Sequence, residues 1–256
     1  MTRRTLLAAG ASLGMTALSY GRVAGANDRI SMAHAGVGNR GRELASVVAD
    51  LRERHNVEMT AVCDLWSVNR ERAAKTASQV YGRAPRSLQY FEELLALKDV
   101  DAVLISTADF QHAPLLQLAA EAGKDVYCEK PMANVLEEAK AARDAVRLHK
   151  RVVQIGTQHR SEPYQRAVRE LIVGGALGRV SKVEVVWNYH GPRWRGRPEV
   201  KQIREEDTDW RKWLLSKPYR KFDPRAYFRI PSVPRVFERH PRPVDDACRG
   251  HGALPS

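Results

Sequence analysis

The sequence predicts an α/β protein built on a doubly wound parallel sheet, followed by an incomplete α+β domain. Three observations predict the sheet. Short apolar runs alternate with amphipathic stretches from Arg29 onward, as they do when helices cover both faces of parallel strands. The first run leads into the turn Gly36-Val37-Gly38-Asn39-Arg40-Gly41, and the second ends on an acidic residue, Asp64. With 256 residues and 43% hydrophobic content, the chain can bury a core in one large domain or two modest ones.

Ile30 to Ala35 is the first strand. Behind the glycine turn, Leu44, Val47, Val48 and Leu51 recur at helical spacing, so one helical face covers the sheet. Val57 to Cys63 is the second strand, Asn69 to Val80 the next helix, and Phe91 to Leu97 a shorter one. Val100 to Thr107 is strand four. A helix runs from Pro114, suited to a first turn, to Glu121 and stops at Gly123. Lys124 to Cys128 is a strand, Asn134 opens a helix to Lys150 or its neighbours, and Val152 to Thr157 is the sixth strand.

A lone G-x-G-x-x-G is weak, and its context makes it specific. Here it follows a strand and opens a helix, which marks a Rossmann-type dinucleotide-binding unit. Gly36 permits the tight turn, Gly38 lets a pyrophosphate approach the backbone, and Gly41 lets helix and strand pack closely. Amides at the helix start, around Asn39 and Arg40, then face the phosphates. Asp64 stands where a carboxylate accepts hydrogen bonds from the adenosine ribose. It favours NAD, because it repels a 2′-phosphate, although Arg70 nearby softens that preference and leaves NADP open. A purely structural Asp64, capping the next helix, is the alternative.

Strand four is followed by Ser106-Thr107-Ala108-Asp109-Phe110-Gln111-His112-Ala113-Pro114, and strand five ends in Cys128-Glu129-Lys130-Pro131. These segments resemble the Ser-Thr-Pro-Asp-x-x-His and Glu-Lys-Pro signatures of Gfo/Idh/MocA oxidoreductases. Gly156-Thr157-Gln158-His159-Arg160 resembles the family's next active-site loop. The resemblance reaches Phe228 or thereabouts. It departs at Ala108, where the family usually has proline, and a less rigid loop is expected there.

The resemblance implies an NAD-dependent oxidoreductase that moves a hydride to or from a sugar or cyclic polyol. Thr107 and His112 would line the cofactor pocket, Glu129 would contact the nicotinamide ribose, and the catalytic Lys130 would sit beside the transferring hydride. Gln158 and Arg160 would face the substrate, and the Lys130–Pro131 bond would be cis. Chemistry supports the lysine independently, since oxidation of a carbinol needs a nearby cation for the developing alkoxide. One alternative is a glycosidase that uses held NAD for transient oxidation. Another is a non-catalytic remnant that holds nucleotide and turns nothing over.

Domain limits follow: an export signal over 1–26, the NAD(P)-binding domain over 28–157, a partial substrate domain over 158–229 and an irregular tail over 230–256. Thr2-Arg3-Arg4 precedes an apolar stretch from Leu6 to Leu18 that is too short to span a bilayer, and Ala24-Gly25-Ala26 offers a cleavage site. Twin-arginine export to the periplasm is expected, with no stable membrane insertion after signal removal. In the second domain a helix is expected at Pro163 to Val173, a strand at Val180 to Tyr189, and long loops with a short helix around Trp210 to Leu215.

From Ile230 the pattern loses all period, with Pro231, Pro234, Pro241, Pro243 and Pro255 breaking it. The expectation is an out-of-frame tail and impaired catalysis. A one-nucleotide shift turns the codons of Asp245 and Asp246 into Met or Thr, and the stretch through Cys248 can then read S-G-I-P-G-P-W-M-T-H. That string resembles a segment by which exported family members bring a histidine to the active site.

The net charge of +12 comes from basic residues scattered among 30 acidic ones. That pattern describes solvated faces and gives no nucleic-acid stripe. Three cysteines do not make a disulfide framework, and Cys63 and Cys128 read as buried thiols. His159 and His190 lack companions at ligand spacing, so no metal is expected. A homo-oligomer stays open.

Overall fold

The computed structural model of the chain describes residues 29–186 and 198–228. The expected export signal, Trp187, Trp194, His190 and the expected tail with Cys248 lie outside the described residues.

Six strands make one sheet: β1 (Ile30–Ala35), β2 (Val57–Cys63), β3 (Arg86–Leu88), β4 (Ala102–Ile105), β5 (Asp125–Glu129) and β6 (Val153–Gly156). Their spatial order is β3-β2-β1-β4-β5-β6 and every pairing is parallel. This is the doubly wound arrangement, with its switch point between β1 and β4. The helices are α1 (Asn39–His55), α2 (Ser67–Tyr81), α3 (Phe91–Leu95), α4 (His112–Glu121) and α5 (Leu136–Leu148).

Alternation along the strands builds the two faces. Ala33 and Ala35, Ala61 and Cys63, Val103 and Ile105, and Val126 and Cys128 join Leu94, Leu116 and Ala142 in the main core. Met32, Met59 and Val62 lie in a smaller cluster with Val48, Ala73 and Ala74 of the covering helices. Alanines on the central strands let helices approach closely, while fully burying a branched aliphatic side chain contributes about 1.5–3 kcal/mol each.

Local chemistry shifted several boundaries. α4 begins two residues before Pro114, because a 3₁₀ turn at Asp109–Gln111 runs straight into it. α5 starts at Leu136 rather than Asn134, with Glu137 and Glu138 in its first turn, where carboxylates oppose the helix dipole favourably. β3 fills the place in the chain between the second strand and strand four and, at only three residues, is too short to carry a readable period.

Beyond β6, helix α6 (Pro163–Val173) forms as expected, with Pro163 in its first turn. The strand expected from Val180 is a correction: Val180 to Val186 adopts no strand, and no strand lies beside it among the described residues. A strand is stable only when neighbours satisfy its backbone groups. Residues 198–228 return to the sheet. Helix α7 (Trp210–Leu214) buries Trp210, Trp213 and Leu214 against Ala108 and Phe110, with Leu65, Phe222 and Tyr227 packed around them. A second short helix, α8, covers Pro224–Phe228.

Candidate functional site

The glycine turn sits between β1 and α1 at the carboxyl end of the sheet. Gly36 has φ +82, and a Cβ there would lie 2.6 Å from the Thr107 amide nitrogen. A Cβ on Gly41 would come within 2.3 Å of the Gly36 carbonyl oxygen. Both glycines are thus demanded by the protein's own packing. Gly38 differs, since a Cβ there would meet only the Asn69 amide, at 3.7 Å. The room in front of Gly38 suits a group that must lie close to the backbone, and a pyrophosphate fits that cradle.

A buried relay pins the turn. The Ser106 hydroxyl donates to the Gly36 carbonyl at 2.7 Å and lies 2.8 Å from His34 Nε2. With the hydroxyl proton committed to Gly36, His34 donates through Nε2–H. Burial pushes the His34 pKa down to about 3, so the ring is neutral at ordinary pH.

Asp64 follows β2 and is almost wholly buried. Its Oδ2 accepts from the Val37 amide at 3.0 Å and from Asn69 Nδ2 at 3.3 Å. Its Oδ1 accepts from the Trp66 amide at 2.9 Å and from the Tyr227 hydroxyl at 3.2 Å. Burial raises its pKa, and these hydrogen bonds oppose the rise. Arg70 donates to the Asp64 carbonyl at 2.7 Å and so flanks the same corner.

Across the switch point, the loops after β4 and β5 bring the remaining candidates together. His112 Nδ1 donates to the Pro131 carbonyl at 2.7 Å, which leaves Nε2 as the ring nitrogen still to be matched. That Nε2 atom and Thr107 Oγ1 are buried without partners. Orphaned polar atoms of this kind call for a ligand or water to complete them. Glu129, also buried, accepts from Arg40 Nε and Nη2 at 2.9 and 2.8 Å, while its Oε2 accepts from the Lys130 amide at 3.2 Å. Arg40 also reaches Glu43 at 2.7 Å, and Asn39 is engaged by Arg42.

Lys130 is exposed, and its bond to Pro131 is cis, as the resemblance implies. Asp109 lies near His112 and Lys130. Its pKa is raised by burial and partly restored by those two groups.

The family model for the oxidoreductase family with an NAD-binding Rossmann fold, Gfo/Idh/MocA, matches residues 30–157. The chain belongs to the Gfo/Idh/MocA family. An inositol 2-dehydrogenase of Rhizobium meliloti is 31% identical over 150 residues, covering 59% of this chain and 42% of the relative. A 1,5-anhydro-D-fructose reductase of Ensifer adhaerens is 34% identical, covering 60% and 49%. Among solved structures, an NAD-binding protein from Listeria innocua superposes with a TM-score of 0.50 at 27% identity, over 59% of this chain and 42% of that one. The scyllo-inositol dehydrogenase of Lactobacillus casei, solved with NAD(H) and scyllo-inositol, shares the fold, with a TM-score of 0.52 at 22% identity over 59% and 42%. The chain thus spans about half or less of the length of these relatives.

Within this Gfo/Idh/MocA frame, Ala108 does not loosen its loop. Its amide donates to Gln111 Oε1 at 3.2 Å, a bond proline cannot make, and its φ of −73 is one a proline would adopt. Gln111 Nε2 in turn donates to the Trp213 carbonyl at 2.6 Å. Sequence reasoning missed Gln111 and Tyr227, because only the fold brings residues 198–228 back to these loops. Trp210 and Trp213 stack on each other at 4.6 Å inside this cluster, so both rings serve its packing.

Gln158 and Arg160 are both exposed, just beyond the end of β6. Cys63 and Cys128 are buried free thiols, the latter pushed up to about 12 by burial and by Glu129. Among the described residues no cluster of His, Cys, Asp or Glu could hold a metal, and no helix is long and apolar enough to cross a membrane.

Proposed function

We propose that this chain serves an NAD-dependent oxidation or reduction of a sugar or cyclic polyol, with Lys130 beside the reacting carbon. The observation that carries the reading is the meeting of two sets of groups at the carboxyl edge of the sheet. One is the open cradle at Gly38. The other comprises the orphaned Thr107 Oγ1 and His112 Nε2, the buried Glu129 and the exposed Lys130. The inositol and anhydrofructose relatives support a polyol or sugar substrate.

Gly36, Gly38, Asn39, Arg40 and Gly41 would hold the pyrophosphate, Asp64 the adenosine ribose, and Thr107, His112 and Glu129 the nicotinamide end. NAD, when bound, supplies the hydride acceptor. The chain's own part is positional and electrostatic. Arg40 holds the Glu129 carboxylate in place through two hydrogen bonds, and the Lys130 ammonium stabilises negative charge on a substrate oxygen and exchanges a proton with it. Gln158 and Arg160 would meet substrate hydroxyls. The paired Arg3 and Arg4 and the Ala24-Gly25-Ala26 site support export of the protein to the periplasm by the twin-arginine route.

Titration of the full chain with NADH, followed by turnover on inositols and sugars, tests the reading. Lys130→Met should keep NADH affinity within about twofold and lower turnover by roughly 10²-fold or more. Failure of the wild type to bind any dinucleotide defeats the proposal. Sugar release without net NADH points instead to transient oxidation.

A further inference from the structure

We infer that Tyr227 controls access to the adenosine end of the dinucleotide site by standing in for a ribose hydroxyl on Asp64. This rests on the nucleotide reading of the site proposed above. A carboxylate offers about four lone-pair positions to donors. On Asp64 the Val37 amide, Asn69 Nδ2, the Trp66 amide and the Tyr227 hydroxyl take them all. A ribose hydroxyl can therefore bind Asp64 only by displacing a donor.

Two of the four are backbone amides that cannot leave without disturbing the glycine turn or the β2 end, and the Asn69 side chain is held in place by Arg72 as well. The Val37 amide belongs to the turn itself, the Trp66 amide lies two residues beyond Asp64, and Asn69 is buried in α2. Tyr227 alone arrives from a distant part of the chain, 163 residues away. It is an O–H donor on a ring, as a sugar hydroxyl is, and it makes one of the two longest of the four bonds.

The ring is carried to this spot by a docked segment. Tyr227 stacks on Trp213 at 5.6 Å and meets the edge of Trp66 at 6.5 Å. Trp213 is held by Phe110 at 5.0 Å and by Gln111, on the loop that follows β4. Lys212 pairs with Glu92 at 2.5 Å, and Lys217 pairs with Glu138 at 3.0 Å. The segment thus reaches the β2 corner, where the carboxylate of a Rossmann domain receives the adenosine ribose. Loss of the hydroxyl alone leaves this packing in place.

The test compares NADH binding to the full-length wild type and Tyr227→Phe by nicotinamide fluorescence and calorimetry. The variant should bind NADH about threefold to tenfold more tightly, the worth of one released competing hydrogen bond. The gain should vanish for a dinucleotide whose adenosine ribose lacks the 2′-hydroxyl. Equal NADH affinity in both proteins, weaker binding by the variant, or a gain that survives removal of the 2′-hydroxyl overturns the inference while leaving the nucleotide site standing. If neither protein binds NADH, the nucleotide reading falls and takes this inference with it.

Discussion

Residues 29–157 and 158–186 are built from the same kinds of residue, yet only the first region closes on itself. In the sheet, apolar side chains of β1, β4 and β5 are covered from both faces by α1 to α5, and Leu94, Val103, Ile105 and Leu116 are completely or almost completely buried. In α6 and the stretch after it, Leu171, Val173, Leu177 and Val185 are each more than half exposed, and α6 buries no residue. The difference lies in partners, not composition. A doubly wound sheet supplies its own covering helices, whereas an amphipathic helix with a following β-like run needs a second sheet to lie on. Among the described residues none is present.

The strongest way to break the comparison is within the glycine turn, where folding and binding separate. Gly41→Val should unfold the sheet region or destabilise it by about 3 kcal/mol or more, because its Cβ would strike backbone. Gly38→Val, with nothing but Asn69 near it, should keep the wild-type melting temperature while losing dinucleotide affinity. Thermal melts beside NADH titrations check both, and a well-folded Gly41→Val would show that the turn is looser than it looks.

An intermediate effect comes from pH. His34 has a folded pKa depressed to about 3 by burial, so the folded state resists a proton that the unfolded chain accepts below its ordinary pKa of about 6.5. The stability that neutral His34 secures is therefore complete above that value and is lost progressively as pH falls toward 3. Between pH 6.5 and 5 the loss should be about 2 kcal/mol. Denaturant midpoints measured across that window should fall in the wild type and stay flatter in His34→Gln. Parallel slopes would mean that another group carries the acid sensitivity.

The smallest effect is expected outside the sheet. Leu171→Ala, at a side chain 63% exposed, should change stability by no more than about 0.5 kcal/mol, against the several kcal/mol that a buried leucine such as Leu116 would lose. A large loss at Leu171, read from the same denaturant curves, would show that α6 is covered in solution and would erase the contrast.

Much of the sheet was legible because its signals are local. Helical spacing at Leu44, Val47, Val48 and Leu51, and a turn whose glycines have separate steric jobs, need no knowledge of the rest of the chain. The family signatures singled out Thr107, His112, Glu129 and Lys130 as candidates for the same reason. What escaped the sequence is non-local. Nothing near Asp64 announces that Tyr227 will cap it, and nothing near Arg40 names Glu129, 89 residues on, as its partner. Val180 to Val186 misled because a β-like run describes a capacity for pairing, while a strand requires the pair itself.

The Ala108–Gln111–Trp213 connection makes the chain choose between two ways of shaping one loop. A proline ring would fix the backbone at position 108 permanently and independently of everything else. Ala108 reaches the same angle through a clasp, with the amide of Gln111 reading a donor on one side and a carbonyl on the other. A clasp can be undone. The wall of the cleft beside Thr107 is therefore tied through Gln111 to the docked Trp213, and a proline installed at 108 would cut that tie by removing the N–H on which Gln111 rests.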